Sequence, residues 1–174
     1  MQTNLTISLL GNPNCGKTAI FNLLTGLNQK VSNYPGITVE KKIAQFDINS
    51  QFRVSVEDYP GAYSLIPQSL DEKIVSDTVL NWIKNPEKRP DGIIYVADVT
   101  NLRRNLFFCS QLLTHDIPLI LLLNMSDLTD GDIIDLILLK ENLDVHEVIL
   151  FSAAKRIGLE KLKSSICSIK EKNK

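Results

Sequence analysis

The stretch Gly11-Asn12-Pro13-Asn14-Cys15-Gly16-Lys17-Thr18 decides how the rest of this sequence is read. It matches GxxxxGK[ST] and stands between an apolar run, Leu5 to Leu10, and an amphipathic run, Lys17 to Thr25, closed by Gly26. The first reads as a buried strand and the second as a helix, which is the context the motif needs. Glycine lets the backbone curl until successive N–H groups point at one centre, and such a nest binds phosphate oxygens. The following helix adds the positive end of its dipole. Lys17 brings a point charge for β- and γ-phosphates, and the Thr18 hydroxyl can ligate Mg²⁺. The expected cradle is Gly11, Asn12, Pro13, Asn14, Cys15, Gly16, Lys17 and Thr18, with Ala19 behind them, and Lys17 is its catalytic charge.

Outward from this loop, strand-like and helix-like segments alternate. Asn28 to Thr38 is polar and carries Pro35 and Gly36, so it reads as a loop. Lys42 to Ile48 and Phe52 to Val56 alternate in polarity around Asn49 and Ser50, which predicts an antiparallel hairpin. Asp58 to Pro67 is a second loop. Beyond it come a helix over Leu70 to Ile83, a strand over Gly92 to Ala97, and a helix whose buried face is Leu102, Leu106, Cys109 and Leu113. Ile117 to Leu123 is the most apolar strand and is expected at the sheet centre. A helix over Ile133 to Leu143, a strand over Glu147 to Phe151 and a helix marked by Leu159, Leu162, Ile166 and Ile169 complete the chain. The pattern predicts an α/β three-layer sandwich: a six-stranded, mostly parallel sheet with one antiparallel edge strand. Residues 1–170 are expected to form one domain, and 171–174 a frayed polar tail.

Two further motifs follow strands. Asp58-Tyr59-Pro60-Gly61 lies after Phe52 to Val56. Alone, DxPG is an ordinary turn; downstream of a phosphate loop, its Asp is positioned to hold Mg²⁺ and its Gly61 N–H to bond a γ-phosphate. Pro60 shapes that turn. Thr38, in the stretch Gly36-Ile37-Thr38, offers a hydroxyl as a second Mg²⁺ ligand when a γ-phosphate is present. Both loops are then expected to order with triphosphate and relax after hydrolysis.

Asn124-Met125-Ser126-Asp127 follows the apolar strand, at the carboxyl edge where ligands of parallel sheets bind. The Asp127 carboxylate can accept from both N1–H and the 2-amino group of guanine. Adenine lacks that donor pair and would leave the charge unpaired. Ser152-Ala153-Ala154-Lys155 follows the last strand, and a backbone N–H there, from Ala154, can donate to guanine O6.

Composition sets limits on partners. Among 174 residues, Lys plus Arg is 19 and Asp plus Glu is 20, for a net charge of −1. That balance excludes an electrostatically driven nucleic-acid binder. Hydrophobic residues at 44% exclude a disordered chain. The longest apolar run, Ile117 to Leu123, falls far short of the about 20 residues of a membrane span, and no signal peptide is visible. Cys15, Cys109 and Cys167 are too far apart for a CxxC site and read as reduced thiols of a cytosolic compartment. His115 and His146 stand in no metal-ligand spacing, so no iron site is visible.

With these words in place, the chain resembles the small P-loop GTPases of the TRAFAC class. More narrowly, it resembles the N-terminal GTPase (G) domain of the ferrous-iron transport protein B (FeoB) family. The narrower likeness rests on GNPNCGKT at Gly11 to Thr18, NYPGITVE at Asn33 to Glu40, DYPGAYSL at Asp58 to Leu65, DVTNLRRNL at Asp98 to Leu106, and NMSD at Asn124 to Asp127. The resemblance implies a P-loop NTPase fold that takes GTP and GDP with Mg²⁺, on the cytoplasmic face of a bacterial inner membrane. It also implies partners in the parent protein: an adjoining helical domain, a transmembrane Fe²⁺ permease region, and association into a homo-oligomer through that parent. Met125 stands where GTPases outside the family have Lys, from which weaker GDP retention is expected.

The same resemblance frames hydrolysis. Ras-like enzymes carry a Gln directly after DxxG to orient water, and here that position is Ala62, so slow turnover is expected. Lys17, Thr38 and Gly61 are left as the catalytic set. Family members bind potassium through a loop Asn, matched here by Asn14, with carbonyls of Ser32 to Tyr34 completing the shell. Such a cation would neutralise phosphate charge as an arginine finger does. Otherwise Asn14 only stabilises the loop. A nucleotide-gated switch in which hydrolysis is secondary, and a ribosome- or RNA-associated GTPase, are the rival readings; neutral charge disfavours the second.

Overall fold

The computed structural model describes residues 2–26, 30–129 and 135–171. Its elements, in chain order, are β1 (Thr3–Gly11), α1 (Lys17–Thr25), β2 (Lys30–Asn33), β3 (Glu40–Asp47), β4 (Phe52–Asp58), α2 (Leu70–Lys84), β5 (Gly92–Asp98), α3 (Leu102–Leu112), β6 (Leu119–Asn124), α4 (Leu136–Leu143), β7 (Glu147–Leu150) and α5 (Leu159–Glu171). The strands form one sheet in the order β2-β3-β4-β1-β5-β6-β7. The β1–β4, β1–β5, β5–β6 and β6–β7 pairs are parallel, and both pairs of β3 are antiparallel.

Side chains alternate across the parallel strands, so each strand feeds two cores. On β5, Ile93, Tyr95 and Ala97 face one core with Val75 and Val79 of α2 and Phe108, Cys109 and Leu112 of α3. Ile94 and Val96 face the other with Ile20 and Phe21 of α1 and Leu162, Ile166 and Ile169 of α5. Burial on both faces explains why these strands read as unbroken apolar runs. Truncating a side chain such as Phe21 or Leu162 to Ala would cost about 2–5 kcal/mol.

The structure corrects several expectations. The sheet has seven strands rather than six: Lys30–Asn33, read as loop, is β2, and it lies outside the reversed strand β3. All four β2 residues are exposed, so no burial pattern marked it; main-chain pairing alone makes it a strand. The apolar strand β6 is second from the far edge, and the central place belongs to β1. Its apolarity reflects two covered faces, not centrality. The buried face of α3 is Asn105, Phe108, Cys109 and Leu112, with Leu102, Leu106 and Leu113 flanking it. The α4 helix begins at Leu136, where the Asp135 carboxylate accepts from the Ile137 and Leu138 N–H groups. The earlier start expected at Ile133, Asn28 of the first loop, and tail residues 172–174 lie outside the described residues. Cys15 and Cys109 are buried free thiols, Cys167 is half-buried, and no described helix is long and apolar enough to cross a membrane.

Candidate nucleotide site

At the carboxyl ends of β1, β4, β6 and β7 the chain turns into four loops that meet. The first is the phosphate loop itself. Asn14 has φ 62 and Gly16 φ 94, so the main chain curls through the left-handed region before α1 starts at Lys17. A Cβ on Gly16 would run into Asn124 Nδ2, so both conformation and space demand glycine there. Cys15 is buried, which pushes its thiol up, and Asn14 is exposed. The Lys17 ammonium rests 3.4 Å from the Asn12 carbonyl oxygen.

The second loop follows β4. Asp58 is the last residue of that strand, opposite Lys42 of β3 and Leu9 of β1. Its Oδ1 is buried without a hydrogen-bond partner, and burial pushes the carboxyl above its ordinary range while Lys17 and Lys42 pull it back. Lys17, Thr18, Val39, Glu40, Lys42, Asp58, Tyr59, Pro60 and Gly61 line a cleft of about 230 Å³. Gly61 packs so closely on the phosphate loop that a Cβ there would lie 2.7 Å from Pro13 Cα and N. The Ala62 N–H donates to the Gly11 carbonyl at 3.1 Å. Beyond it, α2 and α3 hold the chain: Glu72 accepts from the Tyr63 and Gln68 N–H groups, Gln111 from the Leu65 N–H at 2.9 Å, and Ser76 donates to the Leu65 carbonyl at 2.8 Å. Arg104 lies 4.3 Å over the Tyr63 ring.

The loop before β3 is held more lightly. Tyr34 N–H donates to Val39 O and Ile37 N–H to Tyr34 O, so it is closed mainly on itself. Tyr34 is buried, 6.4 Å from Tyr59, whose ring in turn meets Trp82 edge-on at 6.0 Å. Gly36 and Thr38 are exposed, Ile37 is half-buried, and none of the three lines the cleft. Ser32 and Asn33, expected to lend carbonyls to a cation, lie in β2.

The remaining loops form the other end. Asn124 closes β6 and is buried; its Nδ2 donates to the Cys15 carbonyl at 2.9 Å and its Oδ1 accepts from Ala153 N–H at 3.1 Å. One side chain therefore ties the phosphate loop to the loop after β7. Met125 has φ 64 and sits beside Gly16. The buried Ser152 hydroxyl accepts from Lys155 N–H and holds the half-buried Asp127 carboxyl below the usual carboxylate range. Ala154 lies between Ser152 and Lys155, exposed in the turn closed by the Ser152–Ile157 bridge.

Sequence reasoning gave no part to Lys42, Glu72, Gln111 and Tyr95, and to Tyr34 only its carbonyl, because strand register and tertiary contact bring their side chains in. For Lys42, the period-2 pattern of the hairpin was the available signal. An accepting carboxylate at one end, curled amides and a cation at the other, and an unpartnered Asp Oδ1 between loops suit a polyphosphate-bearing base.

A family model described as ferrous iron transport protein B matches residues 5–166. The chain belongs to the FeoB family. It is 40% identical over 172 residues to the Fe(2+) transporter FeoB of Legionella pneumophila (strain Paris), covering 95% of this chain and 22% of that relative. It thus spans about a fifth of the curated relative's length. Among solved structures, the G domain of the T. maritima FeoB iron transporter superposes with TM-score 0.85 at 35% identity, over 96% of this chain and 99% of that one. A GDP-bound variant of the S. thermophilus FeoB G domain gives TM-score 0.81 at 40% identity, over 93% of this chain and 60% of that one.

Proposed function

We propose that residues 1–170 are one G domain that binds GTP and GDP and slowly hydrolyses GTP, within a longer protein that takes up Fe²⁺. The observation that carries this reading is Asn124, which joins the phosphate loop to the loop after β7 and so fixes the distance between a phosphate cradle and a purine-selecting carboxylate. Guanine specificity falls to Asp127, with Ser152 lowering its proton affinity and keeping it ionised as acceptor. The main-chain amides of 12–18 take the phosphates. Lys17 leaves its carbonyl contact for them, because a phosphate oxygen is the stronger acceptor.

The buried, unpartnered Oδ1 of Asp58 fits a divalent cation, and Thr18 lies in the same cleft. Thr18, Asp58 and, after a shift of its loop, Thr38 would hold Mg²⁺, which supplies charge neutralisation at the β- and γ-phosphates. Gly61 offers its N–H to the γ-phosphate. Ala62 gives no side chain to orient water, which makes intrinsic turnover slow. Potassium at the exposed Asn14 would raise it. In the parent protein this domain sits on the cytoplasmic face of the bacterial inner membrane, beside a helical domain and a transmembrane Fe²⁺ region, where homo-oligomers can form.

The test is a titration of the purified chain with fluorescent GDP, GTP and ATP, followed by turnover in potassium and in sodium. GDP and GTP bind and ATP binds at least about 100-fold more weakly. Equal affinity for ATP overturns the specificity, and equal rates in the two salts overturn the role of Asn14. The second reading, a switch whose hydrolysis is secondary, is favoured by the Glu72, Ser76 and Gln111 contacts, which couple the Gly61 loop to two helices.

A further inference from the structure

One motif is not absorbed by the nucleotide reading: DVTNLRRNL, at the end of β5 and the start of α3, lends no residue to the cleft between the phosphate loop and the loop after β4. Its Asn105 is buried and held at both ends of its amide. Oδ1 accepts from the Asp98 N–H at 3.1 Å, and Nδ2 donates to the Asn101 carbonyl at 2.9 Å. The Asn105 main-chain oxygen receives a third bond, from the Tyr95 hydroxyl at 2.6 Å. Tyr95 is fully buried in the middle of β5, between Leu10 and Leu121, with Phe108 edge-on to its ring at 5.7 Å. Its hydroxyl also lies 2.8 Å from the Asn12 side-chain amide, in the phosphate loop.

Proton counting orders this chain. A phenol has one hydrogen, and a peptide carbonyl can only accept. The Tyr95 hydrogen therefore goes to Asn105 O, at the shorter distance, and Asn12 must donate to Tyr95 Oη. With Oδ1 toward Tyr95, Asn12 leaves its Nδ2 buried and unpartnered. Turning the amide over puts Nδ2 on Oη and completes the run Asn12 N–H to Tyr95 O–H to Asn105 C=O. Burial pushes the Tyr95 hydroxyl far above its ordinary pKa, so it stays a donor at any working pH.

Asn12 is where this run meets the chemistry. Its main-chain oxygen is the resting place of the Lys17 ammonium. Gly11 before it accepts from Ala62 N–H, and Pro13 after it is the surface on which Gly61 packs. The set of one side chain thus governs Lys17 and the γ-phosphate loop together. We propose that Tyr95 is a positioning residue for the phosphate loop, acting through Asn12 and anchored on α3 by Asn105. The proposal rests on the guanine-nucleotide reading of that loop.

Tyr95→Phe removes one oxygen and keeps the ring. Affinity for fluorescent GDP and GTP should fall together by about five- to twenty-fold, the worth of a hydrogen bond lost from a buried site. The preference for guanine over adenine should not change, because the Asp127 end is untouched. Asn12→Ala should give a loss of the same size, and the double variant no further loss, since both act through one link. A purely structural tyrosine would instead lower the melting temperature and add its effect to that of Asn12→Ala. GDP affinity within about twofold of wild type in Tyr95→Phe, or losses that multiply in the double variant, overturns the brace. A wild-type chain that does not hold GDP overturns the nucleotide reading and the brace with it; one that does hold GDP isolates the brace as the idea under test.

Discussion

The two ends of the candidate site are built on opposite terms. At the base end the protein satisfies itself. Asn124 uses both ends of its amide on Cys15 and Ala153, Ser126 N–H donates to the Phe151 carbonyl, and the Ser152 hydroxyl serves Lys155. At the phosphate end, polar groups are left short. Asp58 Oδ1 is buried without a partner, Lys17 leans on a carbonyl at 3.4 Å, and Thr38 faces solvent. A self-satisfied end is rigid before any ligand arrives, which suits discrimination between purines. An unsatisfied end gains most when phosphates and a cation arrive, so the free energy of binding is available there to move loops.

The sharpest way to break this contrast is Gly16→Ala. A Cβ there strikes Asn124 Nδ2 at a φ of 94, so the tie between the ends and the curl of the loop fail together. GDP binding should drop below detection by calorimetry, roughly 1000-fold or more, while far-UV circular dichroism stays native. Asn124→Ala comes next: it leaves the Cys15 carbonyl and Ala153 N–H unpaired, and GDP affinity should fall about 10- to 100-fold.

Asp58→Asn should separate stability from activity. Its folded pKa lies above the unfolded value, so its contribution favours the folded state fully below the ordinary carboxylate range. That contribution is lost as pH rises through the raised value. At pH 7 the free protein therefore holds a buried charge at a cost, and the Asn variant should be more stable by about 1 kcal/mol in urea melts. It should also lose the Mg²⁺ dependence of nucleotide affinity. A less stable variant at pH 7 would show that Lys17 and Lys42 more than offset the burial. The smallest effect is expected from Gln111→Ala. Hydrogen exchange at the Leu65 amide should quicken, and GDP affinity should stay within about twofold.

What the sequence made legible follows from how local each signal is. The GxxxxGKT loop, NMSD and SAAK are each runs of consecutive residues, so the sequence alone could nominate them. The parallel strands were readable because both of their faces are buried. The edge strand β2 was not, since Lys30, Val31, Ser32 and Asn33 are all exposed and only their main chain pairs with β3. The face of α3 was misjudged because its axis of burial runs through a polar residue, Asn105, which hydrophobic spacing ignores. Lys42 reaches Asp58 by strand register, and Tyr95 reaches Asn12 across 83 positions of chain; neither relation exists in one dimension.

Trp82 is the only tryptophan in this protein, and it ends a row of rings that starts at Tyr34 and passes through Tyr59. Tyr34 belongs to the loop before β3 and Tyr59 to the loop after β4, so the indole meets one of these loops directly and the other through the Tyr59 ring. The chain thereby carries a built-in optical gauge: a change in its ultraviolet emission on mixing with GTP would time the rearrangement of either loop with no dye attached.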